Sequence, residues 1–434
     1  LNGSRKWIAS VLSFTLLFLF TIIPGNRTEA APSGINLEVR SAIMIEATTG
    51  RILYKMNEDV ALPPASMTKM MTELLVMEYI EEGKISWDDP VQTSEYGHYM
   101  GKYGGSRVFL AMGEVRTVRE LYEAMAIYSA NDATVMLAEH IAGTEENFVK
   151  MMNQKAVEIG MEHSHFLTSS GYPASELGEY RPNIEGDHVM SAKDSAILAR
   201  EIINKYPEAL EISKIPKKVF REGEANSLMM PNWNWMLPGL VYHFDGVDGL
   251  KTGHTNEAKY CFTGTGVRNG MRVITVVMGA ESEAKRFGET RKLMTYGFNN
   301  YSLETLTPKG QPIEGAEEAT VKKGKRLNVA VAPEKDVVFP LHTNEKDQYE
   351  VAVQLEEVIA PIEKGQPIGK VTVQYTGEDD PVEYISSEDE GAAVNLVAEA
   401  DVDKASWIRL FFRAIKNFIG GIFGGIVDKI TGLF

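Results

Sequence analysis

Strand signals stand at both ends of the first 300 residues, and helical periodicity dominates between them. Val39 to Glu46 reads as a strand, Thr49-Gly50 as a turn and Arg51 to Lys55 as the returning partner. Far along the chain, Tyr260 to Val267 and Met271 to Ala280 flank Asn269-Gly270, a dipeptide suited to a tight hairpin. Between them, helical spacing covers Ser66 to Glu82, a capping-box start Thr117-Val118-Arg119-Glu120 running through Tyr128, and Asp132 to Ile141. It resumes over Glu145 to Ile159, ended by Gly160, and over Ala192 to Asn204, opened by Ser191 to Asp194; Glu283 to Phe298 closes the region. This order predicts an α/β domain whose antiparallel sheet is drawn from both ends and whose middle is a helical region.

A chain of 434 residues has room for two or three domains. From Tyr301 the texture becomes short β-rich runs punctuated by Gly and Pro, such as Leu327 to Val331, Tyr349 to Leu355 and Gly369 to Tyr375, which predicts a small all-β domain. Residues 301–400 hold 20 acidic and 9 basic side chains, with an acidic linker from Glu378 to Glu390, and no nucleophile-base constellation. A spacer or interaction module fits them. The overall charge of -16 argues against nucleic acid as a ligand, and the single cysteine, Cys261, excludes a disulfide scaffold.

The two ends are atypical. Arg5 and Lys6 precede an uncharged run from Trp7 to Pro24, and small residues follow at Thr28, Ala30 and Ala31. This is the layout of a secretory leader, residues 1–30, cleaved after Ala30; an uncleaved anchor is the competing reading. Trp407 to Phe434 carries Ile408, Phe411, Phe412, Ile415, Ile419, Ile422, Phe423, Ile426 and Ile430 on one helical stripe, with Arg409, Arg413 and Lys416 opposite. Only 11 uncharged residues separate Lys416 from Asp428, too few to cross a bilayer. The expectation is an amphipathic helix, within residues 401–434, lying on a membrane surface; a helix docked on a core or on another subunit is the alternative. The expected organisation is therefore 1–30 leader, 31–300 α/β domain, 301–400 β-rich domain and 401–434 anchoring helix.

Within the α/β domain, Ser66-Met67-Thr68-Lys69 matches Ser-x-x-Lys, a serine nucleophile and a lysine base one helical turn apart. Pro63 and Pro64 precede it, which predicts Ser66 at a helix N-terminus, where free N–H groups favour a developing oxyanion. Alone the match is weak. A second instance, Ser282-Glu283-Ala284-Lys285, reads as a chance decoy. What separates them is order: Ser129-Ala130-Asn131 follows Ser66 by 63 residues, at a break between two predicted helices. Lys251-Thr252-Gly253 follows by 185, just before the strand pair and after Asp245-Gly246-Val247-Asp248-Gly249. A helix cap and a turn explain these two triplets singly, but not their order behind a leader.

With these residues the chain resembles the serine penicillin-recognising enzymes, the penicillin-binding proteins and class A β-lactamases. Within them it is similar to the DacA-type D-alanyl-D-alanine carboxypeptidases of the low-molecular-mass penicillin-binding protein 5 kind. Ala42 to Glu46 with Thr49-Gly50, Pro64 to Met70, Tyr128 to Asn131, Phe166 to Gly171 and Asp248 to Gly253 carry the resemblance, as do the acidic β segment and the terminal helix. It implies a serine peptidase that removes the terminal D-alanine from peptidoglycan stem peptides ending in D-Ala-D-Ala, through an acyl-enzyme on Ser66, without cofactor and inhibited by β-lactam antibiotics. It places the protein beyond the cytoplasmic membrane, held at its outer face by the C-terminal helix.

In that scheme Lys69 takes the serine proton, which requires burial and a nearby like charge, that of Lys251, to depress its pKa. Ser129 passes a proton to the departing D-alanine amine, and Asn131 positions Lys69 and the substrate amide. Lys251, Thr252 and Gly253 form the substrate-binding triplet, with the first two on the terminal carboxylate. The backbone N–H groups of Ser66 and His254 form the oxyanion hole. Arg286 is either a carboxylate-facing arginine of the family or a solvated helix residue.

Other residues weigh less. The eight histidines form no His-Glu-x-x-His or clustered pattern, so no metal is expected; His163 and His165 read as loop or strand residues. Cys261 reads as a small buried hydrophobe, and Trp233 and Trp235 as packing or cleft residues. A β-lactamase shares the motifs but needs a Glu-activated water, and Glu162, Glu176, Glu179 and Glu185 lack a Glu-x-x-Leu-Asn context. An endopeptidase, a weak transpeptidase and a non-catalytic wall-binding protein on the same scaffold are the remaining alternatives.

Overall fold

The computed structural model describes residues 34–343, 345–377, 382–386 and 393–416. The chain divides into Leu1–Ile35, of which residues 34 and 35 alone are described, and Asn36–Phe434, whose described residues carry everything below. The expected leader, part of the acidic linker and residues 417–434 of the expected terminal helix lie outside the described residues; residues 407–416 are helical.

Five antiparallel strands form the central sheet: β1 (Ser41–Glu46), β2 (Ile52–Met56), β3 (Val247–Thr255), β4 (Lys259–Arg268) and β5 (Met271–Ala280), in the order β2-β1-β5-β4-β3. The N-terminal strand lies beside the last one, Ser41 opposite Met278 and Glu46 opposite Val273, so the sheet unites the two ends as expected. Asn269 and Gly270 close the β4–β5 hairpin with φ of 49° and 80°, a backbone region open to these residues. Lys251-Thr252-Gly253 does not precede the strands: it lies inside β3, paired with Cys261, Phe262 and Thr263.

The helices that position the site are α1 (Lys69–Glu81), α2 (Val118–Tyr128), α3 (Asn131–Ala142), α4 (Glu145–Glu158), α5 (Ala192–Lys205) and α6 (Glu283–Asn300). Thr117 and Glu120 form the anticipated reciprocal cap of α2, and Ser191 caps α5 by accepting from the Asp194 amide. Ser195 of α5 bonds Thr263, 2.7 Å apart, whereas Met294 of α6 lies against Gly264. Consecutive strand residues face opposite ways, so α5 and α6 cover opposite faces of the sheet. The largest core joins α1–α5 to one face, with Ile43, Ile45, Ile274 and Val276 from the sheet against Met70, Leu74, Ala196 and Ala199.

Tyr301 opens the β-rich part: β6 (Tyr301–Thr307), β7 (Glu318–Lys322), β8 (Asn328–Pro333), β9 (Val337–His342), β10 (Tyr349–Leu355), β11 (Val358–Ile359), β12 (Pro367–Tyr375) and β13 (Val394–Ala398). Six strands run in the order β10-β12-β13-β8-β7-β11, and β6 pairs with β9. The fold is therefore α/β with a small all-β domain. Arg51, in the β1–β2 turn and 5% exposed, joins the two parts. Its guanidinium donates to the Pro340 carbonyl at 2.5 Å and to Glu345 at 2.8 Å, and lies 5.3–5.4 Å from the ring centroids of Tyr301, Phe339 and Tyr349. Arg51→Ala is expected to cost about 2–4 kcal/mol by stripping this buried cation from its ring cage and carboxylate. Denaturant unfolding measures it, and an unchanged midpoint would contradict the assignment.

Candidate active site

The chain turns sharply into the nucleophile. Ala65 holds a left-handed φ of 48°, and Ala65–Thr68 form one 3-10 turn that continues into α1 at Lys69. Ser66 thus sits on this turn, three residues ahead of the first α-helical residue, rather than in the first turn of the α-helix. It is half-buried, whereas Lys69 has no exposed surface. The Lys69 Nζ lies 3.0 Å from Ser66 Oγ and donates to the Ser170 carbonyl at 2.7 Å.

Burial first, and then the Lys251 charge, push the Lys69 pKa well below the ordinary lysine value, while Glu73, Asp132 and Glu145 pull the other way. Glu73, one turn further along α1 and 3% exposed, is itself raised by burial against the pull of Lys251 and Lys69. Asp132 accepts from the backbone amides of Val108 and Leu110, which counters the cost of burying it.

Ser129-Ala130-Asn131 links α2 to α3. Ser129 ends α2 in the left-handed region, φ 62°, which turns its side chain out of the helix line. Its Oγ accepts from Lys251 Nζ at 2.9 Å, so the second and third motifs meet. Asn131 donates its side-chain amide to the Gly104 carbonyl rather than to Lys69, and its Oδ1 is buried without a partner. Ser106 braces the link, donating to the Tyr128 carbonyl at 2.6 Å and accepting the Asn131 amide on its own carbonyl at 2.7 Å. Trp233 also donates to the Tyr128 carbonyl, at 2.9 Å, and stacks on the Tyr128 ring. Trp235 instead packs against Tyr242 and Phe287.

β3 presses against the nucleophile turn. A Cβ on Gly253 would stand 2.5 Å from the Pro64 carbonyl and 3.3 Å from the Met67 amide, so glycine alone permits this approach. Lys251, Thr252 and Gly253 are all buried, and His254 is exposed with its ring 4.2 Å from that of Tyr260. Burial depresses the Lys251 pKa, Glu73 counters it and Arg286 adds to it. Arg286 is no solvated helix residue: it is 2% exposed, donates to the Gly253 carbonyl at 3.4 Å and to Glu283 at 3.2 Å, and leaves Nε unpartnered.

The second Ser-x-x-Lys is structural, Ser282 capping α6 by accepting the Lys285 amide while the Lys285 side chain pairs with Glu38. Cys261 is fully buried, its thiol pushed up to about 11 by desolvation. Among the described residues no cluster of His, Cys, Asp and Glu could hold a metal ion.

Sequence reasoning did not single out Glu73, Asp132 or Glu145, and it took Phe166 to Gly171 only as a stretch carrying the resemblance, with no role for Ser169 or Ser170. The i to i+4 spacing of Lys69 and Glu73 was the one available signal for that pair. The segment supplies the second partner of Lys69, and Thr72 donates to the Ser169 carbonyl at 2.7 Å. Gly171, at φ 72°, lies so close that a Cβ would fall 1.9 Å from the Ala65 carbonyl oxygen.

The chain is similar to known proteins over most of its length. The family described as D-alanyl-D-alanine carboxypeptidase matches residues 26–282, and that described as penicillin-binding protein 5, C-terminal domain, matches residues 301–404. The D-alanyl-D-alanine carboxypeptidase DacF of Bacillus subtilis is 37% identical over 387 residues, 88% of this chain and 90% of that protein. Among solved structures, a peptidoglycan synthesis regulatory factor (PBP3) from Streptococcus pneumoniae is 32% identical, with a TM-score of 0.77 over 85% of this chain and all of that one. Penicillin-Binding Protein D2 from Listeria monocytogenes, in its ampicillin-bound form, is 32% identical, with a TM-score of 0.52 over 62% of this chain and all of that one.

Gly171→Ala is expected to lose about 2–4 kcal/mol, since the added methyl meets backbone and the φ stays left-handed. Thermal unfolding against wild type tests this, and an unshifted midpoint would show that the approach to Ala65 is looser than described.

Proposed function

The chain belongs to the D-alanyl-D-alanine carboxypeptidase family and is a serine-type D-Ala-D-Ala carboxypeptidase on a penicillin-binding scaffold; we propose that it cleaves peptidoglycan pentapeptide stems through an acyl-enzyme on Ser66. The observation that carries this assignment is the fully buried Lys69 amine 3.0 Å from the Ser66 hydroxyl. As a neutral amine it spends one N–H on the Ser170 carbonyl, and its lone pair is free to take the Ser66 proton.

Ser66 Oγ then bonds the carbonyl carbon of the penultimate D-alanine, and the peptide oxygen takes up the negative charge. The backbone N–H groups of Ser66 and His254 receive that oxyanion, a reading supported by the close approach of Gly253 to Pro64 and Met67. As the tetrahedral carbon collapses, the C–N bond breaks and the departing D-alanine amine takes the Ser129 proton. Lys251, 2.9 Å from Ser129 Oγ, restores it and, with Thr252, holds the terminal carboxylate. Asn131, with Oδ1 buried and unpartnered, offers an acceptor to the substrate amide or to Lys69. Arg286 acts from behind β3, adding positive potential for the carboxylate through the Gly253 carbonyl it holds. Water then attacks the ester carbonyl and yields its proton, by way of Ser129, to the Lys251 that lost one; the bond from the acyl carbon to Oγ breaks, and Ser66 takes back the proton held by Lys69.

The same serine would be acylated by β-lactams. Rapid hydrolysis of that adduct, the β-lactamase reading, is disfavoured because Glu162, Glu176, Glu179 and Glu185 are all exposed to solvent. Purified protein should release D-alanine from a pentapeptide and retain a labelled penicillin, whereas Ser66→Ala should do neither. Equal behaviour of the two proteins, or rapid loss of the label from wild type, would refute the assignment.

We further propose export by the leader and attachment to the outer face of the cytoplasmic membrane. The start of the terminal helix supports attachment: Trp407, Ile408, Phe411, Phe412 and Ile415 are exposed, and Arg413 points back to the Gly324 carbonyl. No described helix is long and apolar enough to cross a membrane. Protein ending at Ala405 should lose co-sedimentation with anionic lipid vesicles that protein reaching Phe434 retains. Equal sedimentation would remove the anchor from this proposal.

A further inference from the structure

Lys69 leans on a carbonyl, and that carbonyl is itself held in place. Ser170 belongs to a short strap, residues 168–171, that contributes no strand or helix of its own. Its neighbour Ser169 is fully buried and donates both its backbone amide, at 2.8 Å, and its hydroxyl, at 2.6 Å, to Oε1 of Glu145. The other carboxylate oxygen accepts from the Tyr96 hydroxyl at 2.5 Å. Glu145 opens α4 and is 4% exposed, so a carboxylate has been buried at a helix N-terminus with three donors aimed at it.

We propose that Glu145 is a positioning residue for the reaction: through Ser169 it fixes the Ser170 carbonyl, which orients the Lys69 amine so that its lone pair meets the Ser66 hydroxyl. The direction of a lone pair is set by where the N–H groups go. If the Ser170 carbonyl drifts, Lys69 keeps its burial but loses its aim, and misplacement by ~1 Å costs roughly 100-fold in rate. The carboxylate also acts on the amine through space, since its charge raises the proton affinity of Lys69. Lys69 is faced in addition by Glu73 from its own helix, by Asp132 from α3 and by Lys251 from β3; Glu145 is faced by Tyr96 and Glu139.

This inference rests on the Ser66 acyl-enzyme, and the test separates the two. Acylation of Ser66 by a labelled penicillin is followed against pH for wild type, Glu145→Ala, Glu145→Gln and Ser66→Ala, with kcat and KM for a pentapeptide. Glu145→Ala frees the strap, and its acylation rate and kcat should fall roughly tenfold or more with KM changed less than about threefold. Glu145→Gln keeps an oxygen for Ser169 and should restore the plateau rate to within about threefold, but its acid limb should move to lower pH, because removing the carboxylate charge lowers the Lys69 pKa. Wild-type rates and pH profiles in both variants, or a loss confined to KM, would overturn the role of Glu145. If Glu145→Ala does not fold, the acid limb of Glu145→Gln decides, and an unmoved limb counts against the proposal. Labelling of Ser66→Ala would instead overturn the acyl-enzyme itself.

Discussion

A lysine amine without exposed surface, set against a serine hydroxyl, is the constraint around which the α/β domain is arranged. A free lysine keeps its proton well above neutral pH, so one that serves as a base near neutrality must be made easier to deprotonate by its surroundings. Packing supplies much of that. Met67, Met70 and Met71 surround the turn, α2 and α3 close over it, and the strap from Thr168 to Gly171 seals the remaining side. Three buried carboxylates oppose the shift, while Lys251 reinforces it. The site therefore balances like and unlike charges around one amine, and the close approach of β3 through Gly253 brings the second cation without opening the core.

How much of this was legible follows from the kind of signal involved. The elements flanked by caps and turns were readable within a residue or two: Thr117 and Glu120, Ser191 and Asp194, and the Asn269-Gly270 hairpin all act locally. β3 was misread because it is buried on both faces and interrupted by glycine, so the period-2 alternation that marks a half-buried strand is absent. The helix Glu95–Tyr103 escaped for a related reason: Gly97 and Gly101 give it few apolar side chains, yet they let it lie against Met136 and the Leu110 backbone. Ser66, Lys69, Ser129 and Lys251 could be named from motif order, and the structure pairs Ser66 with Lys69 and Ser129 with Lys251. Phe166 to Gly171 stood out only as part of the resemblance, and its link to Glu145 could not be read, because a carboxylate 24 residues from the amide it accepts leaves no spacing to read.

The central sheet also separates two tasks. Its β3 margin faces the nucleophile, and its opposite margin, at the β1–β2 turn, carries Arg51 in the ring cage of the β-rich part. Four inter-strand steps of about 4.8 Å place roughly 19 Å of hydrogen-bonded backbone between them. A sheet covered by helices on both faces is stiff across that width, so it behaves as a bulkhead. Loads that the β-rich part applies through Arg51 cross every ladder of the sheet before they reach the serine, whereas α6, which runs into β6 at Tyr301 and carries Arg286 against Gly253, is a second path. The catalytic margin is thereby screened from strain that enters at the Arg51 junction, and the covalent run from α6 into β6 is left as the direct line from the β-rich part to the strand beside the serine.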